Sequence, residues 1–247
     1  MKRNAMTRRE FLQTTGAAAI SLAFAGLPSA AFAATAGTEK VKIGIIGSGR
    51  VGGTVGGVWA KAGHEVMFSS LDLEADKKLA ASVGANARAG TPREAAQFGD
   101  VLLISVPYAA LPSVGKDLGD LLKGKIVIDT SNPIVARDGD MAVAAREKGA
   151  GLSSQEYLPG ARIVRAFNAI GYSRMGEASK NAGKVGMPMA GDDQKAIEVA
   201  SQLVREVGYE PVLVGPLATM GKHLIPGTPL GGEHTPAEIR QIAGTLK

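Results

Sequence analysis

A doubly wound α/β fold, with a parallel sheet between two layers of helices, is what this sequence predicts, and three observations carry the prediction. Short apolar runs alternate with stretches of helical periodicity of roughly 10–15 residues, the pattern of βαβ units. A Gly-x-Gly-x-x-Gly pattern, Gly47-Ser48-Gly49-Arg50-Val51-Gly52, stands between the first run and the first helix. Glycine supplies 33 of 247 residues, nearly twice the usual share of about 7%, and close backbone approaches explain such an excess.

The run over 41–46 is short, apolar and closed by glycine, as a buried parallel strand is. A helix over about 51–62 follows, with Val51, Val55, Val58 and Ala62 on one stripe and Gly63 ending it. The next strand covers 64–70. Asp72 caps a helix whose Leu79, Ala80 and Val83 precede Gly84. Thr91-Pro92-Arg93-Glu94 is a capping box with proline at the first helical position. Further buried strands are read at 101–106, 126–129 and 163–167. An amphipathic helix over 192–207 stops at Gly208, and 212–214 reads as a late strand. Residues 41–190 form the dinucleotide-binding domain on this reading, and 191–247 a small C-terminal lobe or sheet extension.

Composition narrows the chemistry. With 45% hydrophobic and 21% charged residues of both signs the chain is not disordered. It has no cysteine, which removes disulfides, thiolate metal sites and cysteine nucleophiles. Three scattered histidines, His64, His223 and His234, offer little for a metal centre. Residues 1–33 read as an export signal: Lys2, Arg3, Arg8 and Arg9 precede a mildly apolar stretch, and Ala31-Phe32-Ala33 is a small-x-small cleavage site. Thr7-Arg8-Arg9-Glu10-Phe11-Leu12 matches the twin-arginine pattern, so the twin-arginine machinery is an expected partner and the periplasm the expected location. Gln13, Thr14, Thr15, Gly16, Ser21 and Pro28 make the stretch too polar and broken for a good membrane span. Its removal leaves 24 basic against 22 acidic residues, so the basic balance of the whole chain is no argument for nucleic acid.

The glycine loop has the context that gives the pattern meaning. Gly47 makes the tight turn, Gly49 admits a pyrophosphate close to the backbone, and Gly52 lets helix and strand pack closely, the Rossmann arrangement. Phosphates then sit at the N terminus of the helix, where free N–H groups and the dipole favour negative charge, with Ser48, Arg50 and Val51 of the loop counted among the cofactor-binding residues. The nucleotide is chosen at the end of the second strand, where an NAD site commonly carries a carboxylate about 20 residues past the loop. Here Phe68-Ser69-Ser70-Leu71 offers Ser69 and Ser70, with no acid before Asp72. Two hydroxyls, with Arg50 to pair the charge, favour the 2′-phosphate of NADP. The plainer reading makes the serines a strand-to-helix turn and Arg50 a solvated charge.

The sequence resembles the NADP oxidoreductases that depend on the deazaflavin coenzyme F420. The resemblance is carried by residues 42–52, Ala62-Gly63-His64-Glu65-Val66, Ile104-Ser105-Val106-Pro107-Tyr108 and Ile128-Asp129-Thr130-Ser131-Asn132-Pro133. It continues through Val164-Arg165-Ala166-Phe167-Asn168, Met187-Pro188-Met189-Ala190-Gly191-Asp192 and Pro226-Gly227-Thr228-Pro229-Leu230. The resemblance implies that Val106, Pro107 and Tyr108 line the nicotinamide side. It also implies that Asn132 and Pro133 follow the fourth strand, and that Ala166, Phe167 and Asn168 approach the nicotinamide or the acceptor. Tyr108 and Phe167 also fit plain core packing, and Asn132 a turn before proline. The family often carries Ser-Arg after its second strand, where this chain has Ser70-Leu71.

The reaction implied is hydride transfer between NADPH and F420, chemistry carried by the coenzymes, and no residue is assigned a catalytic role. Ser153-Ser154 and Asp192-Asp193 read as helix starts, and His223 and His234 as surface residues. Two other readings stay open: the same fold reducing a flavin, ferric iron or a quinone, and an NADP-binding module without turnover. A homodimer is expected from the resemblance, with the apolar segment 182–190 as one surface for it.

Overall fold

The computed structural model describes residues 39–246, and the expectations for 1–33, including the twin-arginine motif and the cleavage site at Ala33, lie outside them. The chain runs β1 (Lys42–Ile46), α1 (Arg50–Lys61), β2 (Glu65–Ser69), α2 (Leu73–Val83), β3 (Ala87–Ala89), α3 (Pro92–Phe98) and β4 (Val101–Ile104). Next come α4 (Leu111–Leu122), β5 (Ile126–Asp129), α5 (Val135–Lys148), α6 (Ala150–Tyr157), β6 (Arg162–Arg165) and the short α7 (Tyr172–Met175). The last elements are β7 (Gly186–Gly191), α8 (Gln194–Val207), β8 (Glu210–Gly215), the short α9 (Leu217–Met220) and α10 (Pro236–Thr245).

The eight strands form one sheet in the order β3-β2-β1-β4-β5-β6-β7-β8. Every pair is parallel except β6 with β7. The outward steps from β1, first to β2 and β3 and then to β4, β5 and β6, create the crevice at the carboxyl edge where doubly wound sheets bind ligands. Both faces are covered, so the central strands carry apolar residues at every position, such as Leu102, Leu103 and Ile104. On one face Val55 and Trp59 of α1 and Ala200 and Leu203 of α8 close over Ile43, Ile45 and Ile128. On the other, Ala95, Leu111, Leu118, Ala145 and Ile239 close over Leu102, Ile104 and Val127. Among the described residues no helix is long and apolar enough to cross a membrane.

Side-chain caps start α2, α3, α8 and α10. Asp72 accepts from Ala75 N–H, and Thr91 and Glu94 form the reciprocal box at α3. Gly208 ends α8 with φ 109°, a left-handed value that glycine adopts without strain. Two strands stop earlier than their apolar runs. The 101–106 run ends as β4 at Ile104, just before the turn that carries Pro107, and β6 ends at Arg165, before Phe167 takes a positive φ.

The segment 182–190, expected as a dimer surface, is mostly strand β7, buried from Gly186 to Gly191 and paired with β8. That surface is therefore inside the sheet. Pro188 interrupts the strand pattern in sequence, but β6 pairs with β7 only at Ala190 and Gly191. The proline thus lies where no β6 partner asks for an N–H. Residues 191–247 contribute β8 to the same sheet, and α10 lies against β8 and β7.

A buried polar pin ties the start of β1 to α8. His64, fully buried, accepts from Val41 N–H at 3.1 Å through Nδ1 and meets Glu206 at 2.5 Å through Nε2. Burial acts to raise the Glu206 carboxyl, but the His64 hydrogen bond and the nearby charge of Lys40 outweigh it and hold the group below the usual carboxylate range. An acid with a lowered native pKa stabilises the fold above its unfolded value, and the contribution fades as pH falls through the native one. Glu206→Ala should cost about 1–3 kcal/mol at pH 7, the usual result of orphaning a buried donor. In parallel denaturant titrations the gap between variant and wild type should narrow below about pH 4; a gap that does not change with pH would place the stabilisation elsewhere.

Candidate nucleotide and acceptor site

The site begins where β1 hands over to α1. Gly47 sits at φ 97°, and a Cβ there would lie 2.3 Å from Ser105 O. Its N–H and that of Ser48 donate to Ser69 O at 2.9 and 3.0 Å, pinning the loop to the end of β2. A Cβ at Gly52 would lie 2.1 Å from Gly47 O, so the first turn of α1 folds back tightly over the loop. Gly49 stands at the N-cap with no side-chain cap, and a Cβ there meets nothing within 4 Å. The first turn of a helix has N–H groups without intrahelical partners, and here no side chain covers them. Such a terminus suits a pyrophosphate.

Two cavities adjoin this loop and meet at Ser105, Val106 and Pro107. The smaller, about 420 Å³, is lined by Gly47, Gly49, Ser70 and Leu71 on the β1–β2 side. The larger, about 540 Å³, takes in Arg50, Val51, Asn132, Phe167 and Asn168. The carboxyl ends of β1, β4, β5 and β6 thus converge as doubly wound topology requires.

Several expected residues lie elsewhere. Ser69 is fully buried and donates to Ile45 O at 2.6 Å, so its hydroxyl belongs to the sheet. Arg50 stacks over Tyr172 at 5.2 Å and lines the larger cavity, whereas Ser70 lines the smaller. The expected trio of Ser69, Ser70 and Arg50 is therefore not assembled. Tyr108 is fully buried and donates to Ala150 O at 2.9 Å, with its ring edge-on to Tyr157 at 6.3 Å. Burial pushes its phenol up to about 12, so it is a core aromatic and no wall of the nicotinamide side. Gly52, Pro133 and Ala166 are buried behind the site, and the Ser48 hydroxyl turns to Asp76.

Beneath the larger cavity lies a buried ionic network. Arg165, at the end of β6, pairs with Asp129, at the end of β5, at 2.5 Å, and both side chains are fully buried. Ser154 donates to Asp129 at 2.7 Å, and Arg165 also donates to Ser131 O at 3.0 Å and Asn132 Oδ1 at 3.4 Å. Asn132 in turn donates to Asn168 O at 2.8 Å. The pair therefore orders the two asparagines that line the cavity. Asn168 Oδ1 and Ser131 Oγ are buried and have no protein partner; of these two residues Asn168 lines the cavity, where its oxygen keeps hydrogen-bonding capacity for a ligand.

Phe167 has φ 62°, the one positive value at a non-glycine among the described residues. Strain of this kind persists where the surroundings over-determine it, and it clusters at binding sites. Here the Trp59 ring holds Phe167 edge-on at 6.0 Å, while Asn168 and Ala169 continue along the cavity wall. Thr130 and Pro226, which stand in motifs of the resemblance, also line it, as do Ile134, Arg137 and Tyr172, to which the sequence pointed in no way. Arg137 is anchored by Asp138 at 2.8 Å and Asn132 O at 2.8 Å. Among the described residues no group of His, Cys, Asp and Glu is placed to hold a metal ion.

The geometry separates the two outer glycines of the second half of the loop. Gly49→Val meets no neighbour, so it should lose only what valine costs at an N-cap, at most about 1 kcal/mol. Gly52→Ala, which drives a methyl into a carbonyl, should lose about 1–3 kcal/mol as overpacking commonly does. Equal melting temperatures for the two variants would contradict the loop geometry.

Residues 42–133 match the model of the family described as NADP oxidoreductase, coenzyme F420-dependent. The chain is 29% identical over 183 residues to the F420-dependent NADP reductase of Methanothermobacter thermautotrophicus, covering 68% of this chain and 77% of that one. It is 28% identical over 188 residues to the metalloreductase STEAP3 of Rattus norvegicus, covering 73% of this chain and 35% of that protein's length. A crystal structure of a Sinorhizobium meliloti protein of undescribed activity superposes with a TM-score of 0.68 at 24% identity, over 81% of this chain and 97% of the other. The 3-hydroxyisobutyrate dehydrogenase of Mycobacterium tuberculosis superposes with a TM-score of 0.54 at 18% identity, over 74% and 57%. These two likenesses establish the fold.

Proposed function

From the match of residues 42–133 to the model of the coenzyme F420-dependent NADP oxidoreductases, we propose that the chain is of that family and transfers hydride between NADPH and a deazaflavin of the F420 kind. The observation that carries the reading is the uncapped glycine loop opening onto two cavities that share the Ser105–Pro107 wall. One stretched ligand can follow the loop from the smaller cavity into the larger, and a second can meet it there.

The nicotinamide, when bound, supplies or accepts the hydride. The chain's own residues bind, orient and keep out water. Gly49 and the first turn of α1 hold the pyrophosphate. Val106 and Pro107 give an apolar wall, and Phe167 closes the opposite side. Asn132 and Asn168, ordered by Arg165 and Asp129, supply the polar contacts that set orientation. Hydride transfer of this kind needs no side chain to give or take a proton.

A second reading has a specific observation behind it: the relation to a metalloreductase over 73% of this chain. On that reading the acceptor is a metal ion or its chelate, delivered to the same cavity. Anaerobic bleaching of oxidised F420 by NADPH separates the two. The proposal expects rapid bleaching by the wild type and none by Gly49→Val. NADPH oxidation by a ferric chelate, with F420 left unbleached despite bound nucleotide, would transfer the assignment to the second reading.

The same proposal extends to location. Arg8-Arg9 within 1–33 supports export of the folded chain by the twin-arginine route. Replacing both arginines by lysine should retain the protein inside the cell; undiminished export in fractionated cells would remove this part.

A further inference from the structure

The nucleotide site contains a carboxyl group that sequence reading left unassigned. Asp76, on the first turn of α2, is 1% exposed. It accepts a hydrogen bond from the Ser48 hydroxyl of the glycine loop. Its two oxygens lie 3.0 and 2.9 Å from Ser70 Oγ, which also donates to them. Asp72 N–H donates back to Ser70 Oγ at 3.1 Å.

A serine hydroxyl has one proton to give. With those of Ser48 and Ser70 committed to Asp76, both oxygens offer only lone pairs to a ligand. A ribose 2′-hydroxyl can donate to such an oxygen. A 2′-phosphate cannot, because near neutral pH it carries about −1.5 to −2 charges and is chiefly an acceptor. Among the described residues that line the smaller cavity none offers it a counter-charge. The smaller cavity is lined by Asp117 and by no lysine or arginine. Leu71, at the position where the resemblance has arginine, is wholly exposed, and Arg50 is stacked on Tyr172. The loop and cavities fit a nicotinamide dinucleotide, but the ribose end does not fit a 2′-phosphate.

We propose that Asp76, acting through Ser70, is the specificity-determining residue of the nucleotide site, turning the ribose pocket into an acceptor of a free 2′-hydroxyl so that NAD(H) binds at least as tightly as NADP(H). The inference rests on the dinucleotide reading made above. It refines that reading by setting the chain apart from its family at one subsite. A carboxylate one hydrogen bond removed from the ribose replaces the carboxylate that commonly contacts it directly.

The test is titration of the full chain with NAD⁺ and NADP⁺, followed by calorimetry, for the wild type, Asp76→Ala, Asp76→Asn and Ser70→Ala. The wild type should bind NAD⁺ at least as tightly as NADP⁺. Asp76→Ala should shift the ratio of dissociation constants towards NADP⁺ by about tenfold, with Asp76→Asn moving the same way. Ser70→Ala, which keeps the carboxyl and removes the accepting oxygen, should weaken NAD⁺ and leave NADP⁺ no weaker. It also serves if the Asp76 variants do not fold. A purely structural role for Asp76 would weaken both nucleotides alike, and an unchanged ratio overturns the proposal. So does a wild type that prefers NADP⁺ tenfold or more. If neither nucleotide binds the wild type, the dinucleotide reading itself falls and takes this one with it.

Discussion

The absence of side chains at Gly47 and Gly52 is the constraint on which the site depends. A Cβ on either would strike a backbone carbonyl, Ser105 O from Gly47 and Gly47 O from Gly52. Because neither atom exists, β1 can turn directly into α1 and the first turn of the helix can close over the loop. The uncapped end of α1 then stands beside the ends of β4 and β2. Gly56 extends the same logic along the helix, where a Cβ would lie 2.7 Å from the Phe68 ring. The helix lies so near the sheet that the cost of glycine in a helix interior, about 1 kcal/mol each, is offset by the packing it allows.

A second constraint works from below. Buried ion pairs seldom add net stability, since desolvating two charges offsets most of their attraction. The Arg165–Asp129 pair is better understood by what it orders. It joins the ends of β5 and β6, reaches Ser131 O and Asn132 Oδ1, and through Asn132 fixes the backbone at Asn168. The positive φ of Phe167 lies in that same stretch. Charge and strain are thus held beneath the larger cavity, where they set the position of the neutral amides Asn132 and Asn168.

How much of this was legible in the sequence depended on whether the signal was local. The glycine loop, the capping box at Thr91 and the left-handed stop at Gly208 each follow from a few adjacent residues, and the structure has them where they were read. The same capping pattern recurs at Thr235-Pro236-Ala237-Glu238 and starts α10, so that helix was readable and was passed over. Strand β7 was hidden for a different reason. Its proline and glycines argue against a strand, and only the short pairing with β6 makes them acceptable. Tyr108 and Ser69 stand in motifs that look functional, yet their side chains turn into the core, and only tertiary structure settles which way a motif residue points. Asp76 was invisible because its partners, Ser48 and Ser70, come from two different loops.

These features share a division of labour between backbone and side chain. The phosphate end of the site is made of backbone, shaped by glycines that leave room. The larger cavity combines apolar walls with amides held by the buried Arg165–Asp129 pair one layer down, and Arg50 and Arg137 line it as well. In the hydride transfer proposed for this site, reactivity belongs to the bound coenzymes. Discrimination then has to come from the few polar groups whose hydrogen bonds have a fixed sense. At the ribose end that sense is set by Asp76, because a carboxylate that can only accept makes donors of the two hydroxyls facing it. In a site built this way, a buried acid that touches no ligand can still decide which ligand is taken.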